Sequence, residues 1–163
     1  MIVSAAAWGA ADIGQYQSRA EFLQETFGTE QPASDVVWFD DELRGKAEQI
    51  LGHAPTVLRL RYWFDTTRTA WIIDEIGKEL PITFGIVIEN REIQALHVMQ
   101  FRESRGWEIR YPFFTRQFAK LRLDESGSLD QRIDGISGAT LSVKAATRSA
   151  RLALLLDEFT RQQ

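Results

Sequence analysis

The alternation of side chains between residues 57 and 101 constrains the fold more than any other feature of this sequence. From residue 57 apolar and polar side chains follow a period of two, which predicts a half-buried strand with one apolar side made of Leu58, Leu60, Tyr62 and Phe64. Turn residues at 65–68 and at 90–91 separate it from three further segments of the same kind, namely 69–76, 82–88 and 93–101. The pattern predicts a four-stranded antiparallel meander.

Helices are predicted on both sides of this meander. Ser18 can cap a short helix that stops at Gly28, and the acidic run at 40–42 opens a second helix that ends near Gly52. After Thr140, one face of a long helix collects Leu141, Ala145, Leu152, Leu156 and Phe159. The expected fold class is α+β, with an antiparallel sheet (meander) packed against a long C-terminal helix and with N-terminal helices.

Composition limits the classes of function. A chain of 163 residues fits one domain. Its net charge of −4 does not indicate the basic surface that binds nucleic acid. The absence of cysteine excludes disulfides, thiolate metal sites and iron–sulfur ligation. The two histidines, His53 and His97, are far apart in sequence, so no metal site is expected, and no catalytic residue is assigned.

The first seventeen residues are predicted to lie outside the folded domain. Their small, Ala-rich run resembles the end of a secretory signal near its cleavage site, and a disordered or helical N-terminal segment is the alternative. The run is too short to span a bilayer, and no transmembrane segment is expected elsewhere in the chain. A single domain is therefore expected over residues 18–163, in an extracytoplasmic compartment.

Residues 102–129 are predicted to form a functional loop with one short helix around 115–120. The loop carries most of the aromatic residues that follow the meander. Phe113 and Phe114 are interpreted as core or loop anchors, and Trp107, in a charged neighbourhood, as a candidate for stacking on a ligand.

The segment from Asp134 to Ser142 carries the chemistry. Gly135 and Gly138 permit a close backbone approach, and the free N–H groups at the start of the following helix attract a phosphate. Taken alone, these small residues are equally consistent with an ordinary helix cap at Ser137.

The order Ser137-Gly138-Ala139-Thr140 resembles the signature of the FMN-binding domain family, found in subunits of sodium-pumping NADH:quinone reductases and related electron-transport complexes. In that family a flavin transferase recognises an acidic residue, then Ser or Thr, Gly-Ala-Thr, and esterifies FMN phosphate onto the last threonine. The resemblance implies FMN as the cofactor, attached to Thr140. The whole chain is similar to short, single-domain periplasmic FMN-binding proteins of Gram-negative bacteria.

The resemblance and the neighbouring residues together predict a set of binding residues. Asp134, Ser137, Gly138, Ala139 and Thr140 match the family motif, and Gly135, Leu141 and Ser142 lie beside them. Lys144, one helical turn after Thr140, lies where its ammonium can reach the phosphate. On the loop after the meander, Glu103 matches a family position, while Ser104 replaces the usual Thr and Arg105-Gly106 replaces a Pro-Gly pair. Arg102 is assigned to stabilise the reduced flavin or its phosphate, and Trp107 to stack on the ring.

The function implied is that of an electron carrier. The tethered FMN would pass electrons between donor and acceptor proteins of a membrane-associated redox chain in the periplasm. Two alternatives stay open: a flavin-dependent reductase of a quinone or ferric acceptor, and a binding or scaffold module that keeps the fold without flavin.

Overall fold

The computed structural model describes residues 14–163, in which a five-stranded sheet is covered by helices on both faces. The strands are β1 (Ala33–Trp38), β2 (Arg59–Phe64), β3 (Arg68–Ile76), β4 (Pro81–Glu89) and β5 (Glu92–Gln100). The helices are α1 (Arg19–Phe27), α2 (Asp41–Leu51), α3 (Pro112–Thr115) and α4 (Thr140–Arg161). Two 3-10 helices, Trp107–Arg110 and Arg116–Phe118, flank α3.

The sheet is an antiparallel meander in which every strand pairs with its neighbour in sequence. The predicted α+β class, with a long C-terminal helix and N-terminal helices, is confirmed. The number of strands is not, because β1 adds a fifth strand at the edge beside β2. Between β4 and β5 the positive φ angles of Asn90 (53°) and Arg91 (61°) are those of a type I′ hairpin turn.

Local sequence explains where the first two helices begin and end. Ser18 and Glu21 form a reciprocal capping box at the start of α1, and the Asp40 carboxylate accepts a hydrogen bond from Leu43 N at the start of α2. Gly28 and Gly52 end the two helices in the left-handed conformation, with φ of 74° and 76°.

The sheet buries apolar side chains on both faces. The larger core lies between the sheet, α2 and α4, and the smaller core lies under α1 and includes Phe22, Trp63 and Met99. The predicted one-sided strand was therefore wrong in two respects: Leu58 is 69% exposed and precedes β2, whereas Trp63 points into the smaller core. Helix α1 is the physical reason, since it covers the face that was expected to be polar.

Helix α4 crosses the sheet and is anchored near its far end. Asp157, 1% exposed, accepts hydrogen bonds from Thr69 Oγ at 2.6 Å and from Arg161 Nε at 2.9 Å. Ala150 and Leu156 are fully buried against the larger core. This packing fixes the position of Thr140, the first residue of the helix.

The described chain begins before the predicted domain boundary at residue 18. Phe101 N donates to Gly14 O at 2.9 Å and Tyr16 N donates to Met99 O at 2.8 Å, so residues 14–17 lie along the end of β5. The remainder of the predicted N-terminal segment, 1–13, lies outside the described residues. Among residues 14–163, no helix combines the length and apolarity needed to cross a bilayer.

Candidate functional site

The first turn of α4 presents backbone donors that no group of residues 14–163 uses. Ala139 is the N-cap residue, and no side chain in the described part of the chain caps the helix. The N–H groups of the next three residues have no intrahelical acceptor, and they lie at the positive end of a 22-residue helix. Ser137 does not cap the helix, contrary to the alternative interpretation of this segment. The missing cap leaves the helix end available to an anion.

Gly138 sets the approach of the chain to this helix. Its φ of 81° lies in the left-handed region, and the space where a Cβ would stand is open. Ala139 N then donates to Ile136 O at 3.0 Å, and Val143 N to Ala139 O at 2.9 Å. The tight turn directs the exposed Thr140 side chain outward at the start of the helix.

Three segments distant in sequence meet at a cleft of about 450 Å³ in front of this helix start. They are the β3–β4 turn, the loop after β5 and the start of α4. The lining residues are Lys78, Glu79, Glu103, Ser104, Arg105, Gly138, Ala139, Thr140, Leu141 and Ser142. The volume is within the range of about 300–1,000 Å³ that small-molecule and cofactor sites occupy.

Glu103 joins two of these segments. Its Oε1 accepts hydrogen bonds from the backbone N–H groups of Lys78 at 2.5 Å, Glu79 at 3.0 Å and Leu80 at 3.3 Å. Partial burial alone would raise the pKa of this carboxyl, but the three N–H donors and the charge of Lys78 hold the pKa below its ordinary value. Glu103 therefore stays ionised and fixes the β3–β4 turn at the rim of the cleft.

The loop after β5 also packs directly on α4. Ser142 is buried, and its side chain fills the space beside Gly106, whose φ is 91°. A Cβ at position 106 would lie 2.3 Å from Ser142 Oγ. The Arg105-Gly106 pair thus brings the loop into contact with the first turn of the helix.

Two cationic and two acidic side chains line the cleft. Within residues 14–163, neither Lys78 nor Arg105 forms a salt bridge, and both line the cleft with the free N–H groups of α4. The carboxylate of Glu103 is already occupied by backbone donors, and Glu79 contributes the other negative charge. The arrangement can bind a phosphate ester at the helix start.

Not all of the predicted site residues line this cleft. Asp134 and Gly135 are exposed on the preceding segment, where the Gln117 side chain bonds the backbone of Asp134 at 2.7 and 3.2 Å. Ser137 and Lys144 are exposed and near the helix start. The side chains of Asp134, Ser137 and Lys144 make no hydrogen bond within the described residues.

Arg102 and Trp107 lie on either side of the lining residues of their loop. Arg102 donates to Pro81 O at 2.6 Å and to Gln100 Oε1 at 2.7 Å, so its guanidinium braces β4 against the end of β5. The ring of Trp107 is 38% exposed and contacts Tyr111 edge-on at 5.8 Å. Of the predicted anchors, Phe114 is fully buried, but Phe113 is 63% exposed, so that prediction was wrong for Phe113.

Lys78 and Glu79 line the cleft, but the sequence did not assign them to the site. Nothing in their local sequence distinguishes them from other hairpin residues. They reach the cleft for two reasons. The paired strands β3 and β4 extend past their neighbouring strands at the end of the sheet where α4 starts, and Glu103 holds the β3–β4 turn there. Ser104 and Arg105 were noted in the sequence but not assigned to the site.

Comparison with known families gives one match. The model of the FMN-binding domain matches residues 77–155. This range contains every residue that lines the cleft, from Lys78 to Ser142. No curated protein matches the chain.

Proposed function

Since residues 77–155 of this chain belong to the FMN-binding domain family, we propose that FMN is attached through its phosphate to Thr140 and that the protein is an electron carrier in the periplasm. One observation carries the proposal. The Thr140 hydroxyl is exposed at the first position of α4, beside uncapped N–H groups, and inside the cleft that the matched residues form.

The residues present fit this cofactor. A phosphate needs hydrogen-bond donors and positive charge, which the helix start and the side chains of Lys78 and Arg105 supply. The open space beside Gly138 lets the phosphate approach the backbone. The exposed side of Leu141 offers an apolar surface next to the attachment point.

The rival hydroxyls are less suitable for attachment. Ser142 lines the cleft, but it is buried against Gly106, so its Oγ is not free to take a bulky ester. Ser137 precedes the helix by three residues and lies outside the cleft lining. Thr140 alone combines exposure with a place at the head of the helix.

Each residue of the site has a role around the cofactor in this proposal. Thr140 would hold the phosphate, and the N–H groups of Leu141 and Ser142 would orient its free oxygens. Glu103 acts as a positioning residue, because it fixes the turn that carries Lys78. Trp107 stays a predicted contact of the flavin ring, and Arg102 a predicted source of positive charge near it.

A bound flavin supplies reversible electron storage, which is the reason for assigning the protein to electron transfer. A carrier of this kind requires a donor and an acceptor protein, and its assembly requires a flavin transferase. The cleft would hold the phosphate end of the cofactor at the head of α4.

Intact mass tests the attachment. In attachment, Thr140 Oγ forms a bond to the phosphorus of the flavin donor, a P–O bond of the donor breaks, and the departing oxygen group takes up the threonine proton. Co-expression with a flavin transferase should therefore raise the mass by one FMN less one water. Thr140→Val should abolish the gain. Thr147→Val is the matched control: it removes a hydroxyl from the same helix, bonded to Val143 O at 3.0 Å and outside the cleft. Covalent flavin on the Thr140→Val protein would falsify the assignment.

The compartment is tested separately. We infer the periplasm from the Ala-rich start, the lack of cysteine and the family resemblance. Fractionation of cells that make the full precursor should place the flavin-bearing protein in the periplasmic extract. Its recovery from the cytosol alone would contradict the location and leave the attachment untouched.

A further inference from the structure

A cluster of exposed aromatic rings surrounds one arginine beside the cleft. The cluster, which we call the aromatic–arginine patch, consists of Tyr16, Trp107, Arg110, Tyr111 and Phe113. The Arg110 guanidinium lies 4.4 Å from the ring centroid of Tyr16, 4.9 Å from that of Tyr111 and 5.5 Å from that of Trp107. Tyr111 in turn stacks on Phe113 at 6.3 Å. The rings hold the guanidinium in place by cation–π contacts.

The patch is not an extension of the core. All four rings are exposed, whereas Phe114 and Phe118, on the same stretch of chain, are fully buried. Apolar residues scattered singly on a surface need no explanation, but a contiguous group of aromatic rings marks an interaction site. Trp, Tyr and Arg are also the residues that contribute most to protein–protein binding.

The patch adjoins the cleft through the loop after β5. Arg105 lines the cleft, Gly106 packs on Ser142, and Trp107 follows directly as the first member of the patch. A protein seated on the patch would therefore contact the mouth of the cleft.

The charge around the patch indicates the kind of partner. Residues 102–116 carry four Arg and two Glu, although the whole chain has a net charge of −4. Within residues 14–163, none of these four arginines, Arg102, Arg105, Arg110 and Arg116, forms a salt bridge.

We propose that the aromatic–arginine patch is the docking surface for a redox partner protein that presents an acidic face around a one-electron centre. This inference rests on the proposed function. Opposite charges would steer the encounter, and the rings would be buried in the contact. In the complex the partner's centre loses one electron as the flavin gains one, and no covalent bond forms or breaks.

The test uses a small acidic iron–sulfur ferredoxin as the probe and Arg110→Glu as the variant. Binding is measured by calorimetry on flavin-free and flavin-loaded protein, and oxidation of the reduced probe by the loaded protein is followed by stopped flow. Arg91→Glu is the matched control, because Arg91 is exposed in the β4–β5 turn, at the end of β5 opposite to the patch.

Arg110→Glu should weaken binding of the probe and slow electron delivery by about tenfold at low salt, and Arg91→Glu should do so by much less. The difference should shrink at high salt, because the screening length falls from about 30 Å at 0.01 M to about 3 Å at 1 M. Phe113→Ser should speed dissociation of the probe at every salt concentration, because it removes an apolar contact.

Three results would overturn the proposal. The first is an equal loss of probe binding in Arg110→Glu and Arg91→Glu. The second is that the parent binds phosphatidylglycerol vesicles but not the probe, and that Phe113→Ser does not bind the vesicles. This result would make the patch a membrane contact. The third is concentration-dependent dimerisation of the parent that Phe113→Ser abolishes. Failure of the proposed function can be distinguished from failure of the docking proposal. If the proposed function is wrong, the intact mass shows no flavin, but calorimetry on the flavin-free protein still measures binding of the probe.

Discussion

Gly106 and Ser142 lie in direct contact, with the Ser142 side chain in the space that any Cβ at position 106 would need. The contact joins the loop that carries Glu103 to the helix that carries Thr140. Position 106 requires a glycine for two reasons. The contact leaves no space for a Cβ, and the φ of 91° lies in the left-handed region that favours glycine.

Gly106→Ala should therefore destabilise the protein and loosen the cleft. The left-handed φ alone costs about 1–2 kcal/mol for a residue with a Cβ, and displacement of Ser142 adds to it. Gly127→Ala is the matched control, because Gly127 has a φ of 79° with open space beside it. Urea unfolding should give a larger loss of free energy of unfolding for Gly106→Ala, and equal losses would show that the contact is unimportant.

Glu103→Gln should lower stability by about 1 kcal/mol, because three backbone N–H groups lose a charged acceptor. It should also weaken retention of non-covalent FMN, since the turn that carries Lys78 is then less well fixed. Fluorescence titration with FMN measures the second effect. Glu108→Gln is the control, because Glu108 makes no side-chain hydrogen bond within the described residues. The same affinity in both variants would argue against a positioning role for Glu103.

Stability should decline as the pH rises past the pKa of His53. A backbone hydrogen bond to Ala54 O and the Glu75 carboxylate, 2.9 Å away, raise this pKa above its ordinary value of 6.5, although burial and Arg148 oppose the shift. The protonated form donates from both ring nitrogens, so its contribution is complete below 6.5 and is lost as pH rises through the raised value. Melting temperature against pH checks this. His53→Gln should flatten that part of the profile, and an unchanged slope would contradict the assignment.

Asp65 should govern part of the acid unfolding. Burial of its carboxyl opposes ionisation, but the Arg68 guanidinium and the N–H groups of Thr67 and Arg68 lower its pKa from 3.8 to about 2. The stabilisation is present above 3.8 and is lost as pH falls through about 2. Asp65→Asn should make unfolding less dependent on pH in this window. An unchanged dependence on pH in Asp65→Asn would contradict the assignment.

Sequence predicted the elements whose signals are local. The start of α4 at Thr140 follows from two glycines and an amphipathic run, and α1 and α2 follow from caps and terminal glycines. Strand β1 was missed because Val37 is its only buried residue, so no period of two marks it. Its strand character comes from pairing with β2.

The cleft could be predicted only in part for a related reason. The residues around Thr140 lie together in sequence, but Lys78 is more than sixty positions away and reaches the cleft through the β3–β4 pairing and the Glu103 hydrogen bonds. Long-range register of this kind leaves no local signal. The same holds for Trp63, whose buried side is decided by the packing of α1.

Helix α4 is held at both ends, by Gly106 on Ser142 at its start and by Thr69 and Arg161 on Asp157 near its finish. A flavin attached to Thr140 would therefore sit on a rigid mount, unlike a prosthetic group on a swinging arm that travels between distant stations. Its reach would be limited to the few rotatable bonds of the threonine ester and the sugar-alcohol chain. Each partner protein would have to bind beside the cofactor. The rate of electron transfer through such a carrier would then be set by the lifetimes of the successive complexes.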